Sequence, residues 1–175
     1  AWREKTNGWF DAMNQEKIFD PSGIVKTWAA KCAALFLEAN GVKNFTLNAG
    51  GDIYLSSELS VNNLWRVGLA DLNKREEKGS GSNMTLNLKG SPFRAVATSG
   101  SVERGEHIWA KGVLPEKHDV VQVTVVGQDL VVADVWATAI YAGGREALAE
   151  MESVENTNEI TAAAIVTYAD GSMTA

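Results

Sequence analysis

Asp134 and Thr138 stand four residues apart in Ala133-Asp134-Val135-Trp136-Ala137-Thr138-Ala139. On a helix that spacing puts both oxygen-bearing side chains on one face. Their neighbours are small or apolar, and a carboxylate on so dry a face is costly unless something partners it. A hard, oxygen-seeking cation such as Mg2+ would satisfy both groups, with waters and phosphate oxygens completing its octahedron. A plainer alternative has Asp134 capping the helix and Thr138 bonding back to a carbonyl of the preceding turn. Spacing alone leaves both readings open.

Two further segments carry chemistry-capable groups. In Asn48-Ala49-Gly50-Gly51-Asp52 the paired glycines would let backbone N–H groups approach a phosphate, but Gly-Gly-Asp also makes an ordinary turn or bulge. Ala97-Thr98-Ser99-Gly100 places small hydroxyls beside a glycine, and Glu103-Arg104-Gly105-Glu106-His107 follows it. These hydroxyls could line a phosphate site, and His107 is the natural acid/base candidate, although a lone histidine also serves structure. His118, between Lys117 and Asp119, reads as a solvated loop residue.

Periodicity indicates the elements that must position these groups. Ile24, Trp28, Cys32, Leu35 and Phe36 recur at helical spacing, Ser22 can cap, and Asn40-Gly41 supplies the stop. Cys32 therefore reads as a packed core thiol on the apolar stripe. From Phe45 onward the period falls to two, with strands expected at Phe45–Leu47, Ile53–Leu55, Leu64–Ala70, Met84–Leu88, Phe93–Ala97, Val120–Val126 and Ile160–Tyr168. Asn73 to Asn83 is charged and rich in Gly and Ser, the pattern of a hairpin loop. A helix is expected from about Ala133 to Tyr141, broken at Gly143-Gly144, with a short one over Arg145–Val154. The pattern predicts an α+β fold, mostly antiparallel sheet with helices packed on one face, as one domain over residues 1–175.

Composition bounds the partners. The 175 residues carry 16 Lys+Arg against 22 Asp+Glu, a net charge of −6, with no basic cluster to suit nucleic acid or an anionic membrane. One cysteine excludes an internal disulfide framework and a multi-Cys metal site. No apolar run reaches the length of a membrane helix, and Ala1-Trp2-Arg3-Glu4 has no signal-peptide or lipobox character. A soluble chain, with the cytoplasm slightly favoured, is the expectation.

Taken in order, the segments Asn7-Gly8-Trp9-Phe10-Asp11, Asp20-Pro21-Ser22-Gly23-Ile24-Val25-Lys26, Asn48–Ile53, Trp65-Arg66-Val67-Gly68, Ala97–Gly100, Glu103-Arg104-Gly105, His107-Ile108 and Ala133–Ala139 resemble the ApbE family, the FAD:protein FMN transferases. Against that family the chain looks N-terminally short. The resemblance implies a Mg2+-dependent enzyme that takes FAD as substrate, attaches FMN to a Thr or Ser of a target protein and releases AMP. It implies Mg2+ held by Asp134, Thr138 and the carbonyl of Gly23, with His107 and Asp134 as the catalytic pair. Asp11, Lys26, Asn48, Ala49, Gly50, Gly51, Asp52, Thr98, Ser99 and Gly100 would line the flavin nucleotide pocket. A flavin-acceptor protein is the implied partner, alongside a second copy or a chain that completes the fold. The alternatives are a non-catalytic FAD-binding module or pseudoenzyme partner, and an FAD pyrophosphatase giving FMN and AMP.

Overall fold

Strand pairing organises the computed structural model, which describes residues 1–14, 16–56, 66–69, 84–100, 119–156 and 161–175. In chain order the elements are α1 (Trp2–Lys5), α2 (Ser22–Ala39), β1 (Thr46–Ala49), β2 (Asp52–Leu55), β3 (Arg66–Leu69) and β4 (Met84–Asn87). They continue with β5 (Ala95–Gly100), β6 (Val120–Gly127), α3 (Leu130–Glu155), β7 (Ala162–Tyr168) and β8 (Met173–Thr174). Among the described residues, six strands form one sheet in the order β1-β2-β5-β6-β7-β8, and β3 pairs with β4 in a separate ribbon. Every one of these pairings is antiparallel. The α+β class expected from the sequence is the one observed.

Period-two alternation then assigns the two faces of the sheet. Ala95 and Ala97 of β5, Val123 and Val125 of β6, and Ala164 and Val166 of β7 enter one core with Ala30 and Ala34 of α2 and Trp136, Ala137 and Ile140 of α3. Their neighbours Val96 and Val126 point the other way and join Leu55, Val67 and Leu88 in a second core. Helices therefore cover one face, and the β3–β4 ribbon packs on the other.

α3 is buried along most of its course up to Gly144, including Trp136, Val135, Ala139 and Ile140. Asp129 caps it, its side chain accepting from the Val131 and Val132 amides. The helix thus starts earlier than the Ala133 expected, because the cap is an extended residue only two positions after β6. The Gly143-Gly144 break is real: Gly144 has φ 56° and ψ −134°, a conformation a side chain would resist. Trp136 Nε1 donates to Glu155 Oε1 at 2.7 Å, and Lys5 Nζ pairs with the same oxygen at 2.6 Å, fastening the start of the chain to the end of α3.

α2 departs from expectation in two ways. Its first helical residue is Ser22, with Pro21 at the cap position and no side-chain cap bond; Asp20 Oδ1 instead accepts the Ser22 amide at 3.0 Å. The helical spacing of Ile24 to Phe36 is correct, but only Ile24 packs against the core, and the stripe from Trp28 onward points outward. Trp28 is 58% and Phe36 68% exposed, and Cys32 is exposed rather than a packed core thiol. The residues turned inward are Thr27, Ala30 and Ala34. Small side chains let α2 lie close on α3 and the sheet, where the larger ones would not fit between close-packed elements. α1 and β8 were not foreseen from the pattern, being only four and two residues long. The loop expected over Asn73–Asn83 lies outside the described residues. No described helix is long and apolar enough to cross a membrane.

Candidate functional site

The seam between α2, α3 and the ends of β2 and β5 gathers most of the residues singled out in the sequence. Asp134 occupies the second turn of α3 and is 7% exposed. It does not cap the helix; that role is taken by Asp129. Its Oδ2 accepts a hydrogen bond from the Thr27 hydroxyl of α2 at 2.6 Å. Thr138 follows one turn later, with its Oγ1 3.2 Å from Ser99 Oγ on β5. The predicted oxygen pair is therefore on one helix face, and each member meets a hydroxyl from another element.

A second cluster lies on the β2 side. Lys26 Nζ is 2.6 Å from Asp52 Oδ2, an ion pair whose geometry is not that of an aligned hydrogen bond. Asp52 is 1% exposed, and its Oδ1 accepts the Thr98 amide at 3.2 Å. Burial of that carboxylate is tolerable because a cation and a backbone donor both face it. Thr98 Oγ1 in turn lies 2.9 Å from Thr124 Oγ1 on β6.

The Gly-rich segment resolves into a hairpin. Asn48 and Ala49 end β1, Asp52 opens β2, and Gly50 and Gly51 form the two-residue loop with φ of 63° and 98°. Two successive positive φ values are what the tightest hairpin turn requires, and glycine takes them without strain. The Gly51 amide donates to Asn48 Oδ1 at 2.8 Å, so the turn is closed internally. Gly50 is nonetheless exposed beside the Lys26 stem, 3.9 Å from where its Cβ would stand. Gly100 closes β5 opposite Gln122.

Other expected residues sit apart from these two clusters. Asp11 pairs through Oδ2 with Arg3 Nε at 3.2 Å, and its Oδ1 accepts the Met13 amide. Gly23, the second residue of α2, lies against the ring of Phe10. It lies one turn before Thr27, so the same helix start carries both. His107, Glu103, Arg104, Trp65 and Trp109 lie outside the described residues, as does His118. Thr27, Asp129 and Thr124 joined the site without being singled out. Asp129 had a readable signal, an Asp directly before an apolar helical run.

These groups are all hard oxygen donors or a lysine. Among the described residues no group of three His, Cys, Asp or Glu is placed to hold a metal. A closed protein cage is thus missing there, but the carboxylate–hydroxyl pair suits a Mg2+ ion, which keeps waters and takes phosphate oxygens alongside one or two carboxylates.

The family model described as "ApbE family" matches residues 2–164. The chain belongs to the ApbE family. Among solved structures, the flavin transferase ApbE from Vibrio cholerae is 25% identical, with a TM-score of 0.64 over 91% of this chain and 50% of that one. The apo form of the flavinyl transferase ApbE from Pseudomonas stutzeri is 22% identical, with a TM-score of 0.65 over 89% of this chain and 46% of that one. The ApbE protein from Thermotoga maritima gives 21% identity and a TM-score of 0.65, again covering 89% of this chain and 50% of its own. This ApbE chain spans about half the length of the solved relatives it matches. No curated protein matches it.

Proposed function

We propose that this ApbE chain serves Mg2+-dependent transfer of FMN from FAD to a Thr or Ser hydroxyl of a target protein, with release of AMP. The observation that carries the reading is the Asp134–Thr138 pair on α3, each met by a hydroxyl from a different element, in a chain of this family. Asp134 and Thr138, with the carbonyl of Gly23 at the start of α2, would hold the cation. Bound Mg2+ would supply charge neutralisation to a pyrophosphate and polarise the phosphorus under attack. Lys26 presents a positive charge to the nucleotide side while Asp52 fixes its direction. The Gly50-Gly51 turn, Asn48, Ala49 and the Thr98–Gly100 end of β5 would form the rim of the nucleotide pocket, and Asp11, which pairs with Arg3 apart from these clusters, would reach the flavin from the N-terminal segment. His107 is proposed to move the proton of the acceptor hydroxyl. The chain acts here as one ApbE-like domain, with the acceptor protein as its partner.

The test is incubation of the chain with FAD, Mg2+ and a peptide bearing an acceptor Thr. Flavin on the peptide with equimolar AMP is expected, and Asp134→Ala should abolish it. FMN and AMP without a labelled peptide would replace transfer by hydrolysis. FAD bound with no AMP would make the chain a binding module, and both outcomes would overturn the proposal.

A further inference from the structure

Thr27 is fully buried, and its hydroxyl lies 2.6 Å from Asp134 Oδ2 and 3.2 Å from the Ile24 carbonyl oxygen of its own helix. A hydroxyl has one proton to donate. The carboxylate takes it, since 2.6 Å falls within the roughly 2.5–2.7 Å range of hydroxyl bonds to a charged oxygen. Thr is β-branched and in a helix is confined to two χ1 wells, so α2 leaves this donor few directions and the bond to Asp134 selects one. The helix is in turn fastened where it matters: Lys31, one turn after Thr27, pairs with Asp129, the residue that caps α3. Ala30 and Ala34, both buried, keep the two helices close.

We propose that Thr27 is a positioning residue for Asp134, its hydroxyl fixing the carboxylate that a divalent cation would meet. This rests on the reading of Asp134 as a cation ligand. Donors behind a ligating group typically govern about 10–100-fold of metal affinity. A bond that merely stapled two helices together would instead affect stability and leave ion affinity untouched.

Mn2+ alone serves as the probe, titrated into the full chain and followed by the loss of its free paramagnetic signal. Thr27→Val should weaken Mn2+ binding about tenfold or more, whereas Thr27→Ser, which keeps the donor, should stay within about threefold of the wild type. Thr27→Ala repeats the test should the valine variant not fold, as judged by circular dichroism. Equal affinity in wild type and Thr27→Val overturns the proposal, and so does an equal loss in the serine and valine variants. Asp134→Asn separates the two levels. If it binds Mn2+ as the wild type does, or if the wild type binds none, the cation reading itself falls and takes the proposal with it. If Asp134→Asn loses the ion while Thr27→Val keeps it, only the role of Thr27 falls.

Discussion

α2 and α3 are both amphipathic by spacing, yet they use their large apolar residues in opposite ways. α3 sinks Trp136, Val135 and Ile140 into the core, whereas α2 turns Trp28, Leu35 and Phe36 to solvent and presents Thr27, Ala30 and Ala34 inward. The difference teaches where the polar seam comes from. A helix that docks through small and hydroxyl-bearing residues can bring an oxygen donor within 2.6 Å of a carboxylate on its neighbour. A helix docking through leucine or tryptophan would hold that carboxylate at a distance and in a drier setting.

The sharpest way to break the contrast is a pair of tryptophan truncations read by urea unfolding. Trp136→Ala should cost about 3–5 kcal/mol, since its ring is wholly enclosed and its indole N–H is bonded to Glu155. Trp28→Ala should stay within about 0.5 kcal/mol, and a loss similar to that of Trp136 would end the contrast. Next in size is Lys26→Met, which strips Asp52 of its counter-charge and should cost about 3 kcal/mol. Adding Asp52→Asn should recover part of that loss; two independent, additive losses would show that the pair does not couple the start of α2 to the sheet. Gly51→Ala is expected to cost about 1–2 kcal/mol by forcing a side chain into φ 98°, measured as a shift of the unfolding midpoint.

The smallest effect concerns pH. Tyr54, on β2, has its phenol pushed above its ordinary pKa of 10.0, first by burial and then by the Glu38 carboxylate of α2, against a weaker opposite pull from Arg94. The folded chain therefore keeps a proton that the unfolded chain gives up. Stability from this source is complete below pH 10.0 and declines as pH rises beyond it. Tyr54→Phe should flatten that alkaline slope in unfolding scans between neutral and strongly basic pH. An unchanged slope would remove Tyr54 as its source.

What could be read in the chain follows from how local each signal is. The Gly50-Gly51 turn was legible as one of two readings of the paired glycines, because two successive glycines between alternating residues suit the tightest hairpin turn. The break at Gly143-Gly144 and the shared face of Asp134 and Thr138 were legible for the same reason, each lying within one helical turn or loop. The facing of α2 was not. Periodicity shows that Trp28 and Phe36 share a side, but which side meets the sheet depends on what α3 leaves room for. The Thr27–Asp134 bond spans 107 residues of sequence and exists only once the two helices are docked. Likewise the strand expected over Phe93–Ala97 runs on through Thr98–Gly100 as the end of β5, where the Thr98 amide is given to Asp52.

The outward turn of α2 also equips the molecule with a spectroscopic address. Cys32 is the single thiol of the chain and is exposed on the side of the helix opposite Thr27. A nitroxide attached there would need no other cysteine removed. Because an α-helix with its side chains is about 10–12 Å across, the label would sit within dipolar reach of a paramagnetic ion lodged near Asp134. The same inversion that lets a threonine touch the carboxylate thus places a ruler on the helix's far side.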